Sequence, residues 1–219
     1  MSYRGYKFSE SDHRPSAEIL KMEIGESLLQ FQKRCRDSGF ECADNRAIID
    51  QYKHLSEEVI LADLESRRFP NLFLMTCNLV SDLNLAVILR SSLNFGCKKV
   101  YIYGDKKYNR KGAINAHNHL NLNHVKDLDD FNLIKNDFDK IVCLENCEGS
   151  TSINNYKWDY NKRILIIVGN EGLGICSEFL EMSDDIVAIS SFASNRSINV
   201  SCAASIALYD YHLKMNLNV

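Results

Sequence analysis

Apolar residues are spaced in two ways along this chain, and the change falls near residue 70. Before it, Leu20, Ile24, Leu28, Phe31 and Cys35 recur three and four positions apart, the repeat that puts side chains on one helical stripe. Ser16 is placed to cap that helix, Gly25 weakens it and Gly39 is placed to stop it. A second helical pattern covers 44–68 and ends before Pro70. Beyond Pro70, short apolar runs alternate with helical patterns. The runs are 72–77, 100–103, 141–144, 164–168 and 186–189; the helices are 84–95, 175–182 and 199–213. Such alternation predicts an α/β fold with a mostly parallel sheet covered on both faces. Residues 105–136 resist assignment and have room for a short helix and an edge strand. The organisation expected is a helical N-terminal extension over 1–70 and an α/β domain over 71–219.

Composition narrows the class. With 219 residues, 45% apolar and 25% charged, the chain can bury one substantial core plus an appendage. No apolar run approaches the roughly 20 residues that span a bilayer, and the first 15 residues contain no apolar signal core. A soluble, cytoplasmic protein without a membrane partner is expected. The eight cysteines form no Cys-x-x-Cys pair, and no histidine stands at zinc spacing beside them. They read as reduced and structural, with no metal site. A net charge of −3 excludes coating of nucleic acid through bulk charge, though not a local basic face. Lys98, Lys99, Lys106, Lys107, Arg110 and Lys111 stand against the single acid Asp105, with Tyr101, Tyr103 and Tyr108 interleaved. His117, His119 and His124 follow. Taken alone, the segment reads more readily as a solvated loop than as an RNA-binding face.

Three short segments hold the groups that chemistry needs. Gly169-Asn-Glu-Gly-Leu-Gly174 follows the apolar run 164–168, and in open parallel sheets ligands bind outside the carboxyl ends of strands. Its glycines fit neither the dinucleotide fingerprint nor a P-loop. Arg90 lies in the helical pattern 84–95, where a guanidinium can snorkel to solvent or grip a phosphate. Asn84 reads most simply as an N-cap, and Ser197 and Asn199 as the cap and first turn of the last helix.

In order and spacing the three segments resemble the SpoU (TrmH-like) class of the SPOUT superfamily of S-adenosylmethionine-dependent RNA 2′-O-ribose methyltransferases. Asn84, Arg90, Phe95 and Gly96 match the first motif. Gly169, Glu171, Gly172 and Gly174 match the second; Ser197, Asn199, Val200 and Ser201 match the third, with Ile198 in place of leucine. Departures are Ala86 for glycine, Ser91 for threonine, Ser190 for proline and Ala193 for glycine.

The resemblance implies a Rossmann-like sheet with a C-terminal trefoil knot, which general rules of chain path would not suggest. It also implies a homodimer, S-adenosylmethionine as cofactor, and methyl transfer to a ribose 2′-hydroxyl of RNA. It gives catalysis to Arg90, with Asn84, Ser197 and Asn199, and main-chain cofactor contacts to Glu145, Gly169, Ile189 and Ile198. Glu171 would support the loop or the dimer, and Lys106, Lys107, Arg110 and Lys111 would meet RNA. The helical extension over 1–70, unlike the small α/β RNA-binding domain of several ribosomal-RNA members, tilts the substrate toward transfer RNA. A catalytically inactive SPOUT-like RNA-binding protein stays open as the alternative, as does, more remotely, an unrelated α/β oxidoreductase or nucleotide-binding enzyme.

Overall fold

A computed structural model describes residues 30, 33, 34, 37, 52, 57–104, 113, 116–192 and 197–217. The chain divides into two compact units, Met1–Asp63 and Leu64–Val219. In the first, Gln30, Lys33, Arg34 and Asp37 are helical, and the Tyr52 hydroxyl donates to the buried carboxylate of Asp63. The expected cap at Ser16, most of the 20–35 stripe and the stop at Gly39 lie outside the described residues. Helix α1 spans Glu57–Arg67.

The second unit is built on one parallel sheet. Its strands are β1 (Leu72–Cys77), β2 (Lys99–Tyr103), β3 (Leu122–Val125), β4 (Lys140–Leu144), β5 (Thr151–Ser152), β6 (Ile164–Val168) and β7 (Asp185–Ala188). They lie in the order β3-β2-β1-β6-β4-β7-β5, every pairing parallel. Helices α2 (Asp82–Asn94), α3 (Leu128–Ile134), α4 (Ser177–Met182) and α5 (Val200–Leu217) complete the unit. No helix among the described residues is long and apolar enough to cross a membrane.

The sheet is apolar on both faces because both are covered. Leu72, Leu74, Val142, Ile164, Ile166 and Val168 share a cluster with Ile88 and Leu89 of α2 and Ala204, Ala207 and Leu208 of α5. Phe73, Met75, Ile141, Cys143, Leu165 and Ile167 pack with Phe131 of α3 and Phe179 of α4 on the other side. Every residue of β6 is buried, as expected for a strand paired on both edges by β1 and β4. Small residues let α2 and α5 approach closely enough for the Ser91 and Ser205 hydroxyls to meet at 2.7 Å. The far end of α5 is held by polar ties: Asp210 accepts from Trp158 Nε1 at 2.7 Å, and Lys214 Nζ donates to the carbonyls of Ile153 and Tyr156 at 2.7 and 3.0 Å.

Several boundaries differ from the sequence expectation. Helix α4 begins at Ser177 because Cys176 is extended, at φ −67 and ψ 156. Helix α2 begins at Asp82, with Ser81 in the cap position. Helix α5 continues to Leu217 rather than 213. The region 105–136 supplies edge strand β3 and helix α3, and the two-residue strand β5 was not expected.

The connection after β1 is tightly placed. Asn78 adopts φ 44, and Gly104, after β2, adopts φ 110. A Cβ on Gly104 would lie 1.6 Å from Asn78 Oδ1. The backbone conformation is strained for any other residue, and a side chain would also have to displace the Asn78 carboxamide, so Gly104→Ala should destabilise the protein by about 2 kcal/mol. Urea unfolding of the two proteins measures this directly; equal midpoints would contradict it.

Candidate active site

Strand β6 ends at Val168, and the chain turns at once into a narrow loop. Asn170 N donates to the Gly174 carbonyl at 2.8 Å and Gly174 N returns a bond to Asn170 O at 3.1 Å. A Cβ on Gly169 would lie 2.4 Å from the carbonyl carbon of Gly174, so the closure requires glycine there. The Asn170 carboxamide fixes the tip, with Oδ1 accepting from Gly172 N at 2.9 Å and Leu173 N at 3.1 Å. Its Nδ2 donates to the Asn78 carbonyl at 2.6 Å, tying the loop to the connection after β1.

Glu171 makes the second tie to that connection. Its carboxylate accepts from Val80 N at 2.7 Å, Ser81 N at 2.9 Å and Asn84 Nδ2 at 2.8 Å. Burial pushes the Glu171 carboxyl upward, but hydrogen bonds led by the Val80 amide and the Asn84 side chain outweigh it and hold the group below the usual glutamate range. Asn84 is therefore not the N-cap of α2; it lies inside the first turn, and its side chain faces the glycine loop.

Asn84 also reaches the third segment, since its Oδ1 accepts from Asn199 Nδ2 at 3.0 Å. Asn199 Oδ1 in turn accepts from Ser201 N at 2.9 Å, Ser201 Oγ at 2.6 Å and Cys202 N at 3.4 Å. That pattern is an N-cap, so Asn199 caps α5 while Ser197, exposed and outside the helix, does not. Glu171, Asn84 and Asn199, one from each of three segments far apart in sequence, form one hydrogen-bonded line.

The positions expected to meet a cofactor gather at the same edge. Leu144 pairs with both Val168 and Val187 in register, so Glu145 and Gly169 leave the sheet side by side, with Ile189 just past the end of β7. The Glu145 side chain links two of these loops, accepting from Ile175 N at 3.0 Å and Asn146 N at 3.1 Å. Gly174 adopts φ 69, and a Cβ there would lie 2.7 Å from Glu145 Oε2. Ser190 is pinned by a hydroxyl contact to Ser152 at 3.3 Å. Ile198 is exposed beside Asn199.

Arg90 lies two turns along α2 from Asn84, exposed, and its guanidinium has no partner among the described residues. Lys106, Lys107, Arg110 and Lys111 lie outside the described residues. Of the neighbouring cations, Lys98 pairs with Glu65 and Lys99 stacks 5.4 Å from the Tyr101 ring. Cys77, Cys97 and Cys143 are buried, and burial drives their thiols well above the ordinary range. Among the described residues, no three His, Cys, Asp or Glu side chains gather as a metal site. The sequence marks Ser201 as a motif position without giving its hydroxyl a role, and gives no role to Asn170 or to the Val80 and Ser81 amides. Asn170, inside a glycine turn, carries a signal that could have drawn attention to it; the two amides carry none.

Residues 71–209 match the model of the SpoU rRNA Methylase family. Over 59 residues the chain is 37% identical to the tRNA (guanosine(18)-2′-O)-methyltransferase of Aquifex aeolicus (strain VF5), a match spanning 27% of this chain and only 28% of that protein. The crystal structure of the A. aeolicus TrmH/SpoU tRNA modifying enzyme superposes with a TM-score of 0.65 at 25% identity, covering 74% of this chain and 85% of that one. The SpoU methyltransferase AviRb from Streptomyces viridochromogenes, solved with AdoMet, superposes with a TM-score of 0.58 at 18% identity over 66% of this chain and 58% of that one, a likeness of fold.

The state of Glu171 gives a pH test. Because its carboxyl is held low in the folded protein, its contribution to stability is full above the unfolded value of about 4.3. The contribution is lost as pH falls through the lower folded value. The stability advantage of wild type over Glu171→Gln should thus be constant from neutral pH down to about 5 and shrink below about 4. Urea midpoints of both proteins across that range decide it; an advantage independent of pH would remove the role of the charge.

Proposed function

The chain belongs to the SpoU rRNA Methylase family, and from that premise we propose that it transfers a methyl group from S-adenosylmethionine to a ribose 2′-hydroxyl of structured RNA, transfer RNA in preference to ribosomal RNA. The observation that carries the reading is the line Glu171–Asn84–Asn199, which assembles three separate segments at the carboxyl edge of the sheet. Preference for transfer RNA is supported by the 59-residue likeness to a tRNA methyltransferase.

The main chain at Glu145, Gly169, Ile189 and Ile198 holds S-adenosylmethionine in this reading. Gly169 and Gly174, where a Cβ would collide with the Gly174 backbone and the Glu145 carboxylate, let the loop close tightly enough to keep these main-chain groups at one edge. The cofactor supplies a methyl group already activated by a positive sulfur, so no metal is required. The protein's task is to hold the hydroxyl in line, to stabilise the charge that develops on its oxygen, and to leave its proton a path to solvent water. A guanidinium does not give up its proton in proteins, so Arg90 works as a clamp on the adjacent phosphate and as a stabiliser of the developing alkoxide. Its exposure leaves it free to meet RNA arriving from solvent. Asn84, Ser197 and Asn199 supply the neighbouring polar groups, and Glu171 braces the loop.

RNA contact falls to Lys106, Lys107, Arg110 and Lys111, in the segment that follows Gly104, and RNA selection to residues 1–70. The trefoil knot belongs to the same proposal. It is supported by the position of β6 between β1 and β4, two strands that precede it in the chain. A homodimer is supported by exposed apolar residues on the paired helices: Leu83 and Val87 on α2, and Ile206, Tyr209 and Leu213 on α5.

Labelled S-adenosylmethionine incubated with total RNA, followed by nuclease mapping, tests the activity: a 2′-O-methylated nucleotide is expected, and no transfer would overturn the reading. On that RNA, Arg90→Ala should lower turnover about a hundredfold or more while cofactor affinity barely changes. Arg90→Lys should recover little, because a point charge lacks the planar fork. Wild-type turnover in Arg90→Ala would remove Arg90 from catalysis.

Light scattering should give a dimer for the wild type, and Ile206→Asp together with Leu83→Asp should give a monomer. A wild-type monomer at micromolar concentration would count against the assembly.

A further inference from the structure

We propose that Ser201 is a positioning residue, whose hydroxyl fixes the orientation of the Asn199 carboxamide and, through it, that of Asn84. The inference rests on the methyl-transfer reading for its functional consequence and on hydrogen-bond chemistry for its geometry. Ser201 is 5% exposed and stands in the first turn of α5.

The direction of the relay follows from what each group can do. The two backbone N–H groups of Ser201 and Cys202 can only donate, so the Asn199 atom facing them must be its oxygen. The Ser201 hydroxyl donates to that same oxygen at 2.6 Å, the shortest of the three bonds. Asn199 Nδ2 is thereby turned toward Asn84 Oδ1 at 3.0 Å. At the other end the Glu171 carboxylate can only accept, so the Asn84 atom facing it must be Nδ2. Donors at the α5 end and an acceptor at the glycine loop impose the same orientation on both carboxamides. Each keeps a second N–H outside the relay, aimed by it and able to donate to an anionic oxygen of the substrate.

Of the three donors that hold Asn199, the Cys202 amide is long at 3.4 Å. Removing the hydroxyl leaves one good bond, enough to cap the helix but too little to hold the ring of orientations narrow. A purely structural serine would behave differently, since its loss would change stability and leave the chemistry of a folded enzyme alone.

The test uses the full chain with labelled S-adenosylmethionine and the mapped RNA. Ser201→Ala should lower kcat about tenfold, with KM for RNA and Kd for S-adenosylmethionine within about twofold of wild type. Ser201→Thr, which keeps the hydroxyl, should restore most of kcat. Asn199→Asp keeps the acceptor that caps α5 but loses the donor to Asn84; its melting temperature should stay within a few degrees while kcat falls about a hundredfold. Wild-type kcat in folded Ser201→Ala, or in folded Asn199→Asp, would overturn the proposal.

A second readout needs no activity. Side-chain amide protons of Asn84 and Asn199, followed by NMR exchange in the free protein, should exchange faster in Ser201→Ala than in wild type, at Asn84 as well as at Asn199. Unchanged exchange at Asn84 overturns the relay. A wild type that methylates no RNA, yet shows this coupled loss of protection, would overturn the functional reading and leave the relay standing.

Discussion

The pairing of β1 with β6 brings the connections that follow them side by side, and the carboxylate of Glu171 fixes one against the other. Two of its three donors, the amides of Val80 and Ser81, lie where the connection after β1 enters α2. Ser81 occupies the cap position of that helix but makes no side-chain cap bond. Glu171 therefore does from another segment what a local cap would do, with its negative charge placed at the positive end of the helix. Asn170, one residue earlier, holds the same connection by the Asn78 carbonyl. Two consecutive residues of one turn thus grip the connection by its acceptor and by its donors, and the position of Asn84 follows.

That grip works only because the turn starts from a fixed point. Strand β6 is buried along its whole length and paired on both edges, so Gly169 leaves the sheet with little freedom. The loop then closes so tightly that the chain at Gly169 meets the backbone of Gly174. Packing of the core sets the origin, glycine sets the curvature, and hydrogen bonds from Asn170, Glu171 and Glu145 set the direction. The order matters for mutation: changes in the core should loosen all three segments together, while changes in the relay act on Asn84 and Asn199 alone.

Strand β6 was legible because Ile164 to Val168 is a run of branched apolar residues, and its observed limits match the expected ones. The family motifs were legible because they are ordered and punctuated by glycine. The role of Asn84 was not. A polar amide ahead of an apolar helical run looks like a cap, and only the structure shows the helix starting two residues earlier, at Asp82. Ser197 invited the same misreading, since the residue that caps α5 is Asn199. Strand β5 has two residues, too few for any periodicity. The Glu145 side chain bonds across thirty positions to Ile175, a pairing no local pattern encodes.

The departures from the family motifs bear on the same geometry, and three of them lie among the described residues. Ala86 is 4% exposed, on the buried face of α2, where alanine stabilises a helix by about 1 kcal/mol relative to glycine. Ser91 keeps the hydroxyl that threonine would bring and places it 2.7 Å from Ser205. Ser190 lacks the rigidity of proline, yet its hydroxyl contact with Ser152 restrains the chain as it leaves β7. None of the three touches the line from Glu171 to Asn199, and none removes a side chain assigned to the reaction. Cofactor contacts made by the main chain depend on where loops run rather than on which side chains they carry. A chain that keeps the glycines, the carboxylate and both carboxamides while varying around them has retained the parts that set loop position, which favours an active enzyme over a binding protein that has lost its chemistry.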